Sequence, residues 1–383
     1  MRRASTRLSR RRPIQCERIS TIFCENVRRR RGDRSERVSG IRTRCEKSPL
    51  STRTTRLSRK KCGLRRHKAM KVVTTIRALR RSLPDEKRAV IGLVPTMGYL
   101  HDGHLSLIET ARRECDCVVV SVFVNPLQFG PREDFDTYPR DLNRDKAQAE
   151  KAGADLLFAP DTEEMYPKPP FTTVRVSNVT EGMCGASRPG HFDGVATVVT
   201  KLFHIVQPHR AYFGLKDVQQ VAVIQRMVDD LNIPVNIVPC PTVREPDGLA
   251  MSSRNVYLSE EERRQATVLF QALKTAKEKL AKREWHTPQQ VEDGVRDIIE
   301  TQPLADIDYV EMRTFPDLER VRDIGNKTYV IAVAVKFGKT RLIDNILFQG
   351  GETPTDVAYD DDGETAQSDG HRSESTLRRQ RHN

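Results

Sequence analysis

The chain has 383 residues, of which 37% are hydrophobic, and a formal net charge of +13. That length supplies two or three domains and a sizeable core. Residues 1–69 hold 24 Lys and Arg against five Asp and Glu, a net of +19, so residues 70–383 carry −6. The basic character therefore belongs to a leader, and the mildly acidic body offers nucleic acid no matching stripe. No run of about 18 apolar residues occurs, which excludes a membrane-spanning helix.

The leader, "MRRASTRLSRRR" onward, has scattered Arg and Ser and almost no apolar period, and is expected to be disordered. Three readings of it stay open. It has the Arg and Ser of a transit peptide, but also Glu17, Glu25, Asp33, Glu36 and Glu46, which such peptides avoid. It could be a basic arm on nucleic acid, or an extension upstream of a working start at Met70. The polar tail, 350–383, is expected to be disordered as well. Of eight cysteines, four lie in the body (Cys115, Cys117, Cys184 and Cys240) without a C-x-x-C pair. Free thiols in a reducing compartment, the cytoplasm, fit that spacing.

From about residue 72 to 243, short apolar runs alternate with helical stretches. "AVIGLVP" (89–95) reads as a buried strand, "HLSLIETARRE" (104–114) as a helix with Leu105, Ile108 and Ala111 near one face, and "CVVVSVFV" (117–124) as a second buried strand. A polar-faced helix over 138–153 ends at Gly153, and "DLLFAP" (155–160) is a third strand. A helix over 194–208, a strand at 211–214, a helix over 217–232 and a strand at 235–240 complete the series. This alternation predicts an α/β, doubly wound parallel sheet, with ligand beyond the carboxyl ends of its strands. After about residue 244 the pattern becomes a long amphipathic helix (260–283), a second helix from Pro288, and strands at 306–313, 328–337 and 341–348. Clustered strands after helices predict a smaller α+β domain over 244–349.

"PTMGYLHDGHLSLIETA" (95–111) carries the first candidate site. His101 and His104 fall where a buried strand becomes a helix, the helix starting near His104. Helix N-termini bind phosphate through unpaired amides and the macrodipole. Gly103 lets a nucleotide approach the backbone. Imidazoles there can donate to a triphosphate whose charge grows as pyrophosphate leaves. The plainer alternatives are two exposed loop histidines, or metal ligands for which no third donor stands at useful spacing.

"GLAMSSRN" (248–255) is the second candidate: Ser252 and Ser253 can wrap phosphate oxygens and Arg254 can bond them bidentately, unless the stretch is only a linker. In "FGLKDVQQ" (213–220), Lys216 is a point charge for phosphate and Asp217 is either a contact or a plain N-cap. Gln219 and Gln220 are neutral and suit a hydroxyl or carboxylate. "FGKTR" (337–341) imitates a phosphate loop, but Val333 stands where the required glycine belongs, so it reads as a turn between strands.

Together "PTMGYLHDGH", "SVFVNPLQFGPREDFDTYPRD", "SRPGHFDGVATVVTKL", "YFGLKDVQQ", "VPCPTVREPDGLAMSSRN" and "FGKTRLIDN" resemble the pantoate–β-alanine ligase family, from about Met70 to Asn345. The resemblance implies a Rossmann-like nucleotidyltransferase domain (70–243) that binds ATP and pantoate, followed by a smaller lid-like domain (244–349), in a homodimer. It implies ATP and pantoate giving pantoyl adenylate and pyrophosphate, after which β-alanine displaces AMP. By position it places Met97, Gly98, Tyr99, Leu100, His101, Asp102, Gly103 and His104 on ATP, with His104 as proton donor and His101 beside it on the phosphates. Gly214, Leu215, Lys216, Asp217, Val243, Met251, Ser252, Ser253 and Arg254 match the other ATP contacts. Gln128 and Gln220 match the pantoate ligands, and Gln128 is also placed near β-alanine. Leu215 stands where the family often has Glu, and Val218 where an aromatic is common. Mg²⁺ is expected on the phosphates and water rather than in a protein cage. The alternative is a nucleotidyltransferase of similar fold acting on a phosphorylated small molecule, which would need more basic side chains than Gln128 and Gln220 supply.

Overall fold

The structure, a computed structural model, describes residues 69–131 and 133–351. The disorder expected of residues 1–69 and 350–383 lies outside these, apart from Ala69 and from Gly350 and Gly351, which form a turn in which the Gly350 amide donates to Lys327 O at 2.8 Å.

Six strands form one sheet: β1 (Lys71–Val73), β2 (Ile91–Thr96), β3 (Cys117–Val122), β4 (Leu156–Phe158), β5 (Arg210–Gly214) and β6 (Asn236–Cys240), in the order β1-β4-β3-β2-β5-β6. Every neighbouring pair is parallel. Leu93 and Val94 in β2, and Val118, Val119 and Val120 in β3, are fully buried. Continuous apolar, β-branched runs of this kind form central strands covered on both faces. From β2 the chain moves outward through β3 to β4. It then returns through the helix His191–Val206 to lay β5 along the other side of β2. The strand order thus reverses between β2 and β5, and their carboxyl ends stand side by side at the place where such sheets take ligands.

The expected alternation is present, with shifted ends. The first crossover helix is Asp102–Glu114 and buries Leu107, Ile108 and Ala111. It starts two residues before the expected His104, because His101 has the extended backbone of an N-cap.

A second sheet is antiparallel, in the order β7 (Ala305–Thr314), β8 (Thr328–Phe337), β9 (Thr340–Gln349). Phe337 pairs with Thr340 across Gly338 and Lys339, so "FGKTR" is the expected turn. The long helix expected over 260–283 is two helices, Glu260–Gln265 and Val268–Ala281. Thr267 Oγ1 donates to the Arg264 carbonyl at 2.9 Å, and Leu269 N–H turns back to Ala266 O rather than one residue further. Threonine back-bonding of this kind interrupts a helix that its apolar period alone would continue. The helix Pro288–Glu300 opens with a capping box between Thr287 and Gln290.

One apolar core runs from β2, β4 and the helix His191–Val206 through to Phe315 and Leu318, which follow β7, and to Val330 and Ala332 of β8. The two sheets therefore share buried surface.

Candidate active site

The turn after β2 is held by a residue far away in sequence. Gly98 has φ +86° and Tyr99 φ +52°. Asp145, buried in the helix Leu142–Lys151, accepts the Tyr99 amide at 2.9 Å and the Leu100 amide at 2.7 Å. A side chain on Gly98 would lie 2.8 Å from Val122 and 2.9 Å from that carboxylate, so the turn requires glycine by space as well as by φ.

His101 and His104 stack at 4.0 Å between ring centroids. The His101 amide donates to His104 Nδ1 at 3.3 Å, so a neutral His104 carries its proton on Nε2. Burial, with the neighbouring Lys216 and Arg144 charges, lowers His101 to about 4, against a smaller opposing pull from Glu245. Burial, then the His101 and Lys216 charges, takes His104 well below 6.5. Both imidazoles are neutral at pH 7, and His101 Nδ1 is buried without a protein partner. The space beside Gly103 is taken by the His101 ring, 2.9 Å from where a Cβ would stand. That glycine admits the ring.

The second expected segment reaches the first. A Cβ on Gly103 would lie 3.8 Å from Met251 Cβ. Met251 is placed by a hairpin in which its amide donates to Val243 O at 3.0 Å. Ser252 caps the turn Ser253–Tyr257 by accepting from the Arg254 amide at 3.3 Å, and Ser253 Oγ pairs with Tyr138 OH at 3.1 Å. Arg254 is not free: Nε and Nη2 donate to the two oxygens of Asp134 at 2.9 and 2.8 Å. Burial opposes the Asp134 charge, but this pair holds its carboxyl below the usual range.

Lys216 follows β5, and no hydrogen bond or ion pair holds its ammonium among the described residues. Burial lowers its pKa, with Arg254 adding to the shift and Asp217 opposing it. Asn345 Nδ2 donates to the Leu215 and Lys216 carbonyls. Asp217 occupies the N-cap position of the helix Val218–Leu231 without making a side-chain cap bond. Val218, at an expected aromatic position, is buried in the core. Of the two glutamines, Gln219 is consumed structurally, donating to Val179 O at 3.0 Å and Gly182 O at 2.9 Å. Gln220 instead lines a cavity of about 80 Å³ with Lys216, Asp217, Ser252 and Arg254.

Gln128, after β3, is gripped from both ends. Its side-chain oxygen takes Asn125 Nδ2 at 3.1 Å and its amide reaches Met97 Sδ at 3.0 Å. Its carbonyl accepts from His191 Nδ1 at 2.7 Å, and Arg188 contacts His191 Nε2 at 3.0 Å while pairing with Glu133. Burial, then the Arg188 charge, lowers His191 to about 4, which keeps that ring neutral.

The segments after β2, β3, β5 and β6 are thus linked pairwise, Gln128 to Met97, Gly103 to Met251 and Lys216 to the charge environment of both histidines, while the cavity beside Lys216 and Arg254 is lined by neither Gln128 nor the 97–104 segment. Asp134, Asp145, His191 and Asn345 are the participants that sequence reasoning missed. Asp145 acts 45 residues from its partner and has no local signal. His191 and Asn345 stood inside quoted motifs without a role. Among the described residues no group of three or more His, Cys, Asp or Glu side chains could hold a metal, and the four cysteines are free and buried.

A family model described as pantoate-beta-alanine ligase matches residues 68–347. The chain belongs to the pantoate–β-alanine ligase family. The pantothenate synthetase of Acetivibrio thermocellus is 55% identical over 282 residues, 73% of this chain and 100% of that protein. That of Halalkalibacterium halodurans is 53% identical over 285 residues, 74% and 100%. The crystal structure of pantothenate synthetase from Thermus thermophilus aligns with a TM-score of 0.68 at 50% identity, covering 72% of this chain and 99% of that one. The Francisella tularensis pantoate–β-alanine ligase, solved with β-γ ATP and β-alanine, aligns at 0.61 and 35% identity, covering 73% and 98%. The α/β sheet with a small antiparallel sheet after it is the architecture these ligases share with this chain.

Proposed function

We propose that this chain condenses pantoate with β-alanine at the expense of ATP, through pantoyl adenylate. The observation that carries the site assignment is the meeting of the His101–His104 helix start with Met251 and with the Lys216 turn at the β2–β5 reversal.

A carboxylate is a poor electrophile, and adenylation gives it a good leaving group. The protein need only position the reactants and stabilise charge. The amides at the start of Asp102–Glu114 take phosphate oxygens. His104, neutral and protonated on Nε2, donates to the oxygen that gains charge as pyrophosphate departs, and His101 Nδ1 offers a second contact. Lys216 supplies the unpaired cation, and Ser252, Ser253 and Arg254 close the phosphate chain from the other side. Met97, Gly98, Tyr99, Leu100, Asp102, Gly103, Gly214, Leu215, Asp217, Val243 and Met251 line the nucleotide. Gln128 and Gln220 orient pantoate's carboxylate toward the α-phosphorus with neutral hydrogen bonds. β-Alanine then attacks the acyl carbon near Gln128 and AMP leaves. Mg²⁺ arrives on the triphosphate as part of the substrate. We divide the body at 243/244, where the parallel sheet has ended. On the same family reading the enzyme is a cytoplasmic homodimer. No helix among the described residues is long and apolar enough to cross a membrane.

The test is isotopic. With pantoate labelled by ¹⁸O in its carboxylate, the full chain should pass one label into AMP. Label in inorganic phosphate, with ADP formed, would replace the adenylate by an acyl phosphate. Turnover of a phosphorylated acceptor in preference to pantoate would favour the other nucleotidyltransferase reading.

A further inference from the structure

We propose that Asp134 is an internal competitor for Arg254 and so sets which anions that arginine accepts. The inference rests on the assignment of Arg254 to phosphate given above. Arg254 Nε and Nη2 meet the two Asp134 oxygens side by side at 2.9 and 2.8 Å. That is the fork geometry by which a guanidinium also holds phosphate. An incoming phosphate cannot take this edge of Arg254 while the carboxylate keeps it.

Carboxylates hold the other cavity arginines too. Glu133, the preceding residue, holds Arg188 in the same fork through Nε and Nη2 at 2.6 and 2.7 Å, and a single Asp308 oxygen takes both Nε and Nη2 of Arg341 at 2.9 and 2.7 Å. Each of these three cavity arginines is therefore already charge-matched, whereas no carboxylate holds Lys216 among the described residues. The Arg254 and Asp134 side chains are 27% and 26% exposed, so the pair can exchange with an anion arriving from solvent. The Arg244–Asp344 pair, with Asp344 at 1%, cannot.

An anion that meets only Arg254 trades one fork for another and gains little. A triphosphate held as well at the helix start after His101 and by Lys216 presents its remaining phosphate at high effective concentration, and displaces the carboxylate. Asp134 thus favours the tethered triphosphate over small free anions such as inorganic phosphate.

The experiment is calorimetric titration of the full chain with ATP and, separately, with inorganic phosphate, in the native protein, D134N, R254A and the double variant. The asparagine keeps the shape and removes the charge. Inorganic phosphate should bind D134N about fivefold more tightly, the factor carried by a partly exposed ion pair. ATP should gain less, so the preference for ATP narrows. In the R254A background the Asp134 change should be silent. Unchanged or weaker inorganic phosphate binding by D134N, with ATP weakened by R254A, overturns the competitor role and leaves the phosphate assignment standing. ATP binding that ignores R254A removes the assignment and this inference with it. If D134N does not fold, as judged by circular dichroism, D134S takes its place with the same outcomes.

Discussion

Asn345, on the last strand of the second sheet, donates both hydrogens of its side-chain amide to the turn after β5, reaching Leu215 O at 2.9 Å and Lys216 O at 2.8 Å. The second sheet therefore fixes the main chain from which the cation of the first sheet's crevice projects. Asn345→Ala strands two carbonyls in a partly buried place, a loss of about 1–3 kcal/mol per unmade bond. ATP KM should rise about tenfold, with a smaller change in the pantoate KM. Asn345→Asp should be worse, since a carboxylate would face the two carbonyls. Steady-state kinetics with each substrate varied in turn checks the split, and equal effects on both KM values would refute it.

His104 offers its Nε2 hydrogen because Nδ1 is occupied by the His101 amide. If that hydrogen meets charge developing in the adenylation step, His104→Ala should slow the step by about 10²–10³, or 2.7–4 kcal/mol. His104→Gln, which retains a donor, should recover part of the loss. Rapid-quench measurement of pyrophosphate release isolates the step. A loss confined to ATP affinity would assign the residue to ground-state binding instead.

The buried histidines make stability fall with acid. His101 and His191 titrate near 4 in the folded chain against 6.5 for a free imidazole. Between these values the unfolded chain binds protons that the folded one does not, so stability drops as pH falls from about 6.5 to about 4, by at most ~1.4 kcal/mol per pH unit for each ring. Glu133 adds a separate loss below about 4.5: burial opposes its charge, but Arg188 and the Gly130 amide hold it at about 2. Urea midpoints at pH 7, 6 and 5 should decline in order, and His191→Asn should flatten the slope. A midpoint independent of pH over this range would show that these rings gain protons without unfolding cost.

The parallel α/β architecture could be anticipated because β2 and β3 are unbroken apolar runs alternating with amphipathic helices, whereas the strand order could not be read from that pattern. Short elements escaped: β1 has three residues and the helix Thr162–Met165 four, too few for a period to register. The break at Thr267 escaped because it comes from one hydroxyl choosing a carbonyl. At the candidate site, the residues expected to do chemistry follow strand ends and could be singled out, whereas the residues that hold them in place could not. Asp145, Asp134 and Asn345 act on partners 45 to 130 residues distant, and only folding brings them together.

Asp344 and Arg244 supply the last prediction. Asp344 is 2% exposed and takes Arg244 through both oxygens at 2.7 and 3.1 Å, while Arg244 lies 3.9 Å over the Phe270 ring. The pair joins β9 to the hairpin that carries Val243 and Met251. Removing one partner leaves a buried charge, so Asp344→Ala should cost about 3–5 kcal/mol in denaturant unfolding. Replacing both by apolar residues of similar volume, Arg244→Met with Asp344→Leu, should restore much of that stability because no charge is then stranded. Catalysis should not return with it: the neighbouring Asn345 and the hairpin lose their common anchor, so the double variant should be well folded and still slow. A double variant as unstable as Asp344→Ala would mean that the pair contributes net stability rather than placement.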